Sequence, residues 1–311
     1  MNIDPLLAIA SFGIGIVVGL TGMGGGALMT PVLVLFFNIP PLTAVSSDLV
    51  ASAIMKPVGS IVHLRRGTVH LGLVKWLCLG SVPGAFSGAM IAGSLGTGEE
   101  VQHAIRTALG VALLVAAAGL IARAYLRLLE RARRRDGRGE PLPQDRPTLT
   151  LRILPTVVLG ALGGIVVGLT SVGSGSLIII ALMGLYPTLK ASELVGTDLV
   201  QAVPLVAAAA LGHLLFGDFQ MELTTSVLLG AIPGVWIGAQ LSSRSPGGLV
   251  RRALAFVLLA SSLKLLDVPN TATGIVLILV AIFAPMVWML VRRRHGFPAL
   301  ASSRSSQASK E

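Results

Sequence analysis

Charged residues are scarce in this chain, and their scarcity excludes a soluble enzyme core. Only 12% of its 311 residues are charged, against about a quarter in soluble proteins, while 53% are apolar and the mean hydropathy is +0.83. The single cysteine, Cys78, excludes intrachain disulfides and multi-cysteine metal sites. Aromatic residues reach only 5%, and the basic residues behind the formal charge of +10 lie in loops and tails, so no nucleic-acid partner is expected.

What the chain has in abundance is apolar blocks of membrane length. A run of about 20 apolar residues crosses a bilayer core of roughly 30 Å as a helix. We therefore predict an all-α polytopic membrane protein, and we expect no cleaved signal peptide because Met1 to Pro5 carries Asp4 and no basic residue. The blocks are 5–37, 43–63, 71–93, 101–122, 153–186, 191–216, 222–242, 249–266 and 271–291.

A polar segment divides the chain into two halves. It contains nine arginines, four acidic residues and three prolines, with little to bury, which is typical of a solvated linker. We predict a first transmembrane repeat at 1–122, a cytoplasmic basic linker at 123–152, a second repeat at 153–266, an additional transmembrane helix at 267–291 and a disordered cytoplasmic tail at 292–311.

The two halves repeat each other in order. The run Ile16 to Thr21 recurs letter for letter as Ile165 to Thr170, and the glycine cluster that follows the first run corresponds to Ser171 to Gly175. Further on, Val45 to Val50 matches Val195 to Val200. An internal repeat of this kind is the signature of many secondary transporters.

The positions of lysine and arginine predict the orientation of the chain. These residues collect in short cytoplasmic loops, and placing the basic loops on one side requires the block at 153–186 to enter and leave by the same face. We predict two inverted repeats, each a glycine-broken re-entrant helical hairpin plus three transmembrane helices, with one extra C-terminal helix. The protein is expected to be multi-pass in the cell inner membrane, with the central linker and the C-terminus in the cytoplasm.

The glycine clusters are the first candidate site. Clustered glycines, four in residues 22–26 and two in residues 171–175, do not hold a helix, and the freed backbone groups persist at membrane depth only where they line a polar cavity. Each following helix would direct its N-terminus at the break, which favours an anion. Glycine packing and hydroxyls bonded to their own helix are the alternatives. The predicted ligands are Thr21, Gly22, Gly24, Gly25, Thr170, Ser171, Ser174 and Gly175.

Charged and polar residues inside the blocks complete the candidate site. Asp48 and Asp198 occupy equivalent positions in the two halves. We predict that they take part in gating or proton coupling; the alternative is that each caps the start of its helix. Lys56 is either the partner of a carboxylate or a substrate ligand, and Gln201 either binds substrate or joins two helices. His63 and His213 close their blocks, where they either take part in proton coupling or gating or anchor the helices at the interface.

We predict no enzymatic activity, no cofactor and no metal site. Two intramembrane aspartates suggest an aspartyl protease, but the Gly-x-Gly-Asp run is absent, and the equivalent contexts of Asp48 and Asp198 do not distinguish an acid from a base. A serine nucleophile near Ser174 would lack a nearby histidine. A passive anion channel and a non-transporting membrane assembly protein stay open as alternatives.

The ordered set of motifs resembles the TauE/SafE family of sulfite exporters, also called the TSUP family. In the first half the motifs are Gly19 to Gly26 with Pro31, Ala44 to Leu49, Lys56, His63 with Arg66-Gly67, and Pro83-Gly84; in the second they are Thr170 to Ser176, Leu185 to Pro187, Val195 to Asp198, Ala202 to Pro204, Gly212-His213 and Pro233-Gly234.

The resemblance implies a bacterial inner-membrane transporter of a small sulfur-containing anion such as sulfite, a sulfonate, sulfoacetate or thiosulfate, coupled to protons. One departure concerns Gln201, where members that resemble this chain often carry histidine; a glutamine can bind but cannot titrate. The expected partners are the anion, protons and the lipid bilayer. The oligomeric state is left open, a homodimer included.

Overall fold

The computed structural model describes residues 4–21, 25–65, 67–96, 98–135, 150–173, 175, 177–187, 189, 191–241, 247–295 and 297. These residues form helices and connecting turns, with a lone β-bridge between Gly173 and Gly175. The helices in chain order are α1 Pro5–Thr21, α2 Gly26–Phe36, α3 Pro41–Arg65, α4 Leu71–Ser94, α5 Glu99–Arg135, α6 Ile153–Thr170, α7 Leu177–Leu185, α8 Ala191–Phe216, α9 Met221–Leu241, α10 Gly247–Leu265 and α11 Asn270–Arg294.

Six of these helices are long and apolar enough to span a membrane: all or part of α4, α5, α6, α8, α9 and α11. The helices α1 and α2 are apolar but shorter. The 25 residues of α3 suffice in length, but the helix includes Asp48 and Lys56 and is less apolar. The all-helical polytopic membrane fold expected from the sequence is confirmed.

A helix ends and another begins on either side of each glycine cluster. In the first half α1 ends at Thr21 and α2 begins at Gly26. In the second half the backbone between α6 and α7 takes the left-handed region at Ser171 (φ 58°), Gly173 (φ 138°) and Gly175 (φ 96°). Glycine adopts that region at little cost, so the glycines fix the position of the second break.

The second broken segment folds back on itself as a hairpin. The Tyr186 hydroxyl, just beyond the end of α7, accepts a hydrogen bond of 2.9 Å from the backbone N–H of Arg152. It also lies 2.6 Å from the hydroxyl of Thr156, in the first turn of α6. The end of α7 therefore returns to the start of α6, as the re-entrant reading requires. The inverted relation of the two repeats stays a prediction.

The two halves pack into each other rather than side by side. Helix α1 packs along α9, α4 packs along α6, and α3 packs along α8. In the repeat, α6 corresponds to α1 and α9 corresponds to α4. The α1–α9 pair and the α4–α6 pair are therefore equivalent, with the two halves exchanged. Glycines bring their backbones together: a Cβ added to Gly84 would lie 2.5 Å from the Ala161 carbonyl oxygen, and one added to Gly234 would lie 2.3 Å from that of Phe12. Small residues at four-residue spacing allow this approach in membranes.

By its contacts the chain forms two compact units. The first comprises Met1–Ile121 and Thr150–Val268 and contains both broken segments. The second comprises Ala122–Leu149 and Pro269–Glu311. Within the second unit the Tyr125 ring meets the His295 ring edge to face, with centroids 6.2 Å apart. The helix α5 continues to Arg135, so the first part of the predicted linker is helical.

Candidate functional site

The two glycine breaks meet inside the first unit. A Cβ added to Gly26, the first residue of α2, would lie 2.0 Å from the carbonyl oxygen of Ser171 and 2.7 Å from its hydroxyl. The N-terminus of α2 therefore rests directly on the second break. A buried cluster built around Leu7, Met29 and Leu33 packs α1, α2, α3 and α9 together and holds α2 against α3.

Asp48 of α3 is the fully buried centre of this meeting point. Its Oδ2 accepts hydrogen bonds from the Thr30 hydroxyl of α2 at 2.8 Å and from the Ser171 hydroxyl at 2.5 Å. Ser171 is held in place by its own N–H, which donates to the Val167 carbonyl at 2.7 Å. The aspartate of one half is thus bound by a hydroxyl from the break of the other half.

The second oxygen of Asp48 faces the first break. A Cβ added to Gly25 would lie 3.5 Å from Oδ1 and equally far from the Ser52 hydroxyl. Among the residues that the structure describes, Oδ1 accepts no hydrogen bond that satisfies normal geometry. A buried carboxylate oxygen without a donor is costly, and sites that retain one usually bind a ligand, a proton or water.

Lys56 lies between two carboxylates. It is only 9% exposed, and its ammonium interacts electrostatically with both Asp198 and Asp48. The position equivalent to Lys56 in the second half is Val206, so the cation belongs to one repeat only. Because of this asymmetry Asp48 and Asp198, which occupy equivalent positions in the repeat, share the positive charge of Lys56.

The pairing of α3 with α8 shows how these charges are spaced. The Ser46 hydroxyl lies 2.8 Å from Nδ1 of His213, and the Ser60 hydroxyl donates to the Leu199 carbonyl at 2.9 Å. The two helices are therefore antiparallel. At 1.5 Å per residue this register separates the levels of Asp48 and Asp198 by about 20 Å along the axes, with Lys56 between them.

Sequence comparison decides the family of the chain. The sequence model described as Sulfite exporter TauE/SafE matches residues 7–265. The chain belongs to the TauE/SafE sulfite exporter family. This confirms the resemblance drawn from the motifs, and it makes the chain a member of a transporter family.

Curated relatives of this TauE/SafE member come from Bacillus subtilis (strain 168). The probable membrane transporter protein YjnA is 39% identical over 262 residues, which cover 81% of this chain and 96% of YjnA. The probable membrane transporter protein YdhB is 25% identical over 249 residues, 80% of this chain and 94% of YdhB. No solved structure gives a significant match.

Two of the side chains predicted to bind substrate in this TauE/SafE chain form hydrogen bonds with other groups of the protein. The Gln201 amide donates to the Ser81 hydroxyl of α4 at 2.6 Å. The Thr170 hydroxyl donates to the Val166 carbonyl at 2.6 Å and also accepts from the Val172 N–H at 3.2 Å. Gln201 thus joins two helices, and Thr170 bonds back to its own helix, as the alternatives to substrate binding described. Contact of either side chain with a substrate stays a prediction.

The two histidines lie at opposite ends of the α3–α8 pair. His213 is fully buried, and its Nε2 lies 2.7 Å from the Gly168 carbonyl oxygen. Nδ1 of His63 lies 3.0 Å from the Thr68 hydroxyl, next to the loop that follows α3. The structure does not bring either histidine into contact with Asp48.

Three predicted ligands, Gly22, Gly24 and Ser174, lie outside the described residues, as does the side chain of Thr21. In the alignment of the two halves Gly22 corresponds to Ser171. Gly175 lies in the second break with φ 96°. In the described part of the chain no group of three His, Cys, Asp or Glu side chains could hold a metal ion.

Sequence reasoning missed Thr30 and Ser52. Ser52 is four residues after Asp48, the spacing that places two side chains on one helix face, so that neighbour was readable in advance. Thr30 is one turn into α2, and its contact with Asp48 depends on how α2 packs on α3. No local pattern marks it.

Proposed function

We propose that this chain is a secondary transporter that moves a small sulfur-containing anion, such as sulfite, a sulfonate, sulfoacetate or thiosulfate, across the bacterial inner membrane. Transport is coupled to protons and proceeds by alternating access. The observation that supports the proposal most is the buried Lys56 between Asp48 and Asp198, eight residues along α3 from the aspartate at the meeting point of the two breaks.

The charges of the site favour proton coupling. One lysine and two ionised aspartates carry a net charge of −1, so a bound monovalent anion would bring the total of these groups to −2, and a dianion such as thiosulfate would bring it to −3. Uncompensated charge is expensive inside a membrane protein, so the anion requires a proton on one aspartate. Protonation of Asp48 also leaves Lys56 with one ionised carboxylate neighbour, Asp198, instead of two.

Hydroxyl groups around Asp48 suit an oxyanion. The hydroxyls of Thr30 and Ser171 both donate to Oδ2, and they become available to another acceptor when a proton replaces the negative charge of Asp48. The α2 N-terminus beside them adds backbone N–H groups and the positive end of a helix dipole. Proton and anion would therefore enter the same site together.

The test is flux in proteoliposomes that contain the purified protein. Sulfite, taurine, sulfoacetate, thiosulfate and acetate are loaded separately, with and without an imposed pH gradient. Concentrative movement of a sulfur-containing anion that collapses when the gradient is dissipated supports the proposal. Downhill movement alone identifies a passive channel. Absence of flux and of ligand-induced thermal stabilisation for the whole panel contradicts the anion assignment.

The coupling role of Asp48 is tested by Asp48→Asn. The amide oxygen still accepts from Thr30 and Ser171, so folding is preserved, whereas the proton site is lost. We expect pH-driven accumulation to fall to the level of empty liposomes. The matched control is Glu222→Gln, which removes an exposed acidic charge in the first turn of α9 and should transport normally. Unaltered pH dependence in Asp48→Asn would remove the aspartate from the coupling mechanism.

The proposed orientation places the linker and the C-terminus in the cytoplasm, because arginine and lysine collect there. A phosphatase or green fluorescent protein fused after Glu311 reports the side directly. Fluorescence without phosphatase activity supports the orientation, and the reverse result overturns it.

A further inference from the structure

Polar contacts join α3 and α8 at one end of the pair. Near the start of α3 the Thr43 hydroxyl donates to Oδ2 of Asp218, in the loop after α8. One turn further along α3, Ser46 contacts His213 near the end of α8, and His213 in turn reaches the Gly168 carbonyl of α6. We name this set, Thr43, Ser46, His213 and Asp218, the Thr43 gate.

A corresponding set closes the opposite end. The backbone N–H of His70, in the loop after α3, donates to the Thr197 hydroxyl near the start of α8 at 3.1 Å. The His70 ring lies 3.8 Å from the Glu193 carboxylate. Gly196 lies against the Thr68 backbone, since an added Cβ would be 2.5 Å from the Thr68 carbonyl oxygen. We name this set, Thr68, His70, Glu193, Gly196 and Thr197, the His70 gate.

The two sets are the same arrangement in the two repeats. At the repeat offset of 150 residues, Thr43 corresponds to Glu193, and Asp218 corresponds to Thr68. In each set the first turns of one long helix contact the loop that follows the other long helix. The antiparallel register places one set at each end of the pair, with Asp48, Lys56 and Asp198 in between.

The rest of the first unit supplies a rigid frame for these ends. The α1–α9 and α4–α6 pairs touch through backbone atoms at glycines such as Gly84 and Gly234, and such contacts leave no slack for sliding. The ends of α3 and α8 are joined mainly by side-chain hydrogen bonds, worth about 1 kcal/mol each between neutral groups and about 1.5–3 kcal/mol where a carboxylate accepts; Gly196 against Thr68 is the one backbone contact named in the two sets. Bonds of that strength can break and reform within a transport cycle.

We propose that the Thr43 and His70 contact sets are the two gates of the carrier, which open alternately toward opposite faces of the membrane. The inference rests on the proposed transport function and assigns the gating step to Thr43, Asp218, His70, Glu193 and Thr197. With Asp218 outside, the Thr43 gate faces the exterior and the His70 gate faces the cytoplasm.

The experiment measures accessibility and needs no substrate. In a Cys78→Ser background, reporter cysteines are placed at the equivalent buried positions by Ser52→Cys and, separately, Ala202→Cys. A membrane-impermeant methanethiosulfonate is added to right-side-out or inside-out vesicles, and the labelling rate is followed by mass spectrometry. Each gate is weakened by an isosteric substitution, Thr43→Val or Thr197→Val, which removes one hydroxyl.

Loss of a hydrogen bond of about 1 kcal/mol corresponds to about a fivefold population shift. We expect Thr43→Val to raise labelling about fivefold from one face and lower it from the other, and Thr197→Val to do the opposite. The control is Thr225→Val, whose hydroxyl bonds only within α9, to the Met221 carbonyl among the described residues, and which should change neither rate.

Changes of the same sign from both faces would indicate general loosening and overturn the gates, as would unchanged labelling in both gate variants. Thermal melting of each variant verifies that it is folded. Opposite-sided changes in a protein that moves none of the tested anions uphold the gates and count against the substrate assignment. Normal flux with unchanged accessibility overturns the gates alone.

Discussion

Gly26 touches the backbone of Ser171, and this contact joins the two breaks. A Cβ at Gly26 would lie 2.0 Å from a carbonyl oxygen, which cannot rotate away as a side chain can. Gly26→Ala should therefore separate the breaks, cost about 3 kcal/mol of stability and abolish anion binding. Gly13→Ala is the matched control, since an added Cβ there meets no atom within 4 Å. Detergent melting curves of the two variants test this, and equal curves would contradict the contact.

Lys56 should be the main source of attraction for the anion. A charged hydrogen bond contributes about 1.5–3 kcal/mol, so Lys56→Gln should weaken anion affinity roughly ten- to a hundredfold. Lys75→Gln is the control: it removes an equal charge from an exposed side chain that lies over the Trp76 ring, and it should change affinity less than twofold. Titration of thermal stability with sulfite measures both. Equal affinities would assign Lys56 a purely structural role.

Tyr186 closes the second hairpin through its hydroxyl. Tyr186→Phe keeps the buried ring but removes the bonds to Arg152 and Thr156, so we expect a loss of about 1–2 kcal/mol. Tyr125→Phe should be nearly neutral, because the ring of Tyr125 makes its contact with His295 and is retained. Comparison of the two melting temperatures decides whether the hydroxyl or the ring holds the hairpin.

Gln201 should be a link between helices rather than a substrate ligand. Its amide donates to Ser81 in the buried interface of α4 and α8. Gln201→Met and Ser81→Ala should therefore lower stability by similar amounts, about 1–2 kcal/mol, and leave anion affinity within twofold. A loss of affinity in Gln201→Met alone would return this residue to the binding site.

Local patterns in the sequence predict the helices and both breaks, because the densest glycine clusters do not hold a helix, whereas a pair such as Gly163-Gly164 stays within α6. They do not predict which glycine break contacts which aspartate. The bond from Ser171 to Asp48 spans 123 residues and crosses from one half to the other, so it depends on how α1, α4, α6 and α9 exchange partners. The hydrogen bond between Gln201 and Ser81 could not be predicted either, because residue spacing does not specify how the helix of Ser81 packs against α8.

The extended α5 has a simpler cause. Residues 123–135 combine arginine with alanine and leucine, which favour helix. The charge content of this stretch indicated solvent exposure, whereas its propensity favoured continuation of the preceding helix. The structure follows propensity as far as Arg135, where a glycine-rich and proline-rich sequence begins.

The exchange of helix partners between halves has a consequence for biosynthesis. When α1 enters the membrane, Gly15, whose added Cβ would lie 2.7 Å from the Ala231 carbonyl oxygen of α9, meets this partner only after some 200 further residues have been synthesised. The hydrogen bonds of Asp48 are likewise completed only when Ser171, which follows α6, has been synthesised. Because α1 pairs with α9 and α4 pairs with α6, we expect neither half to be stable alone and the two halves, made as separate chains in one cell, to associate.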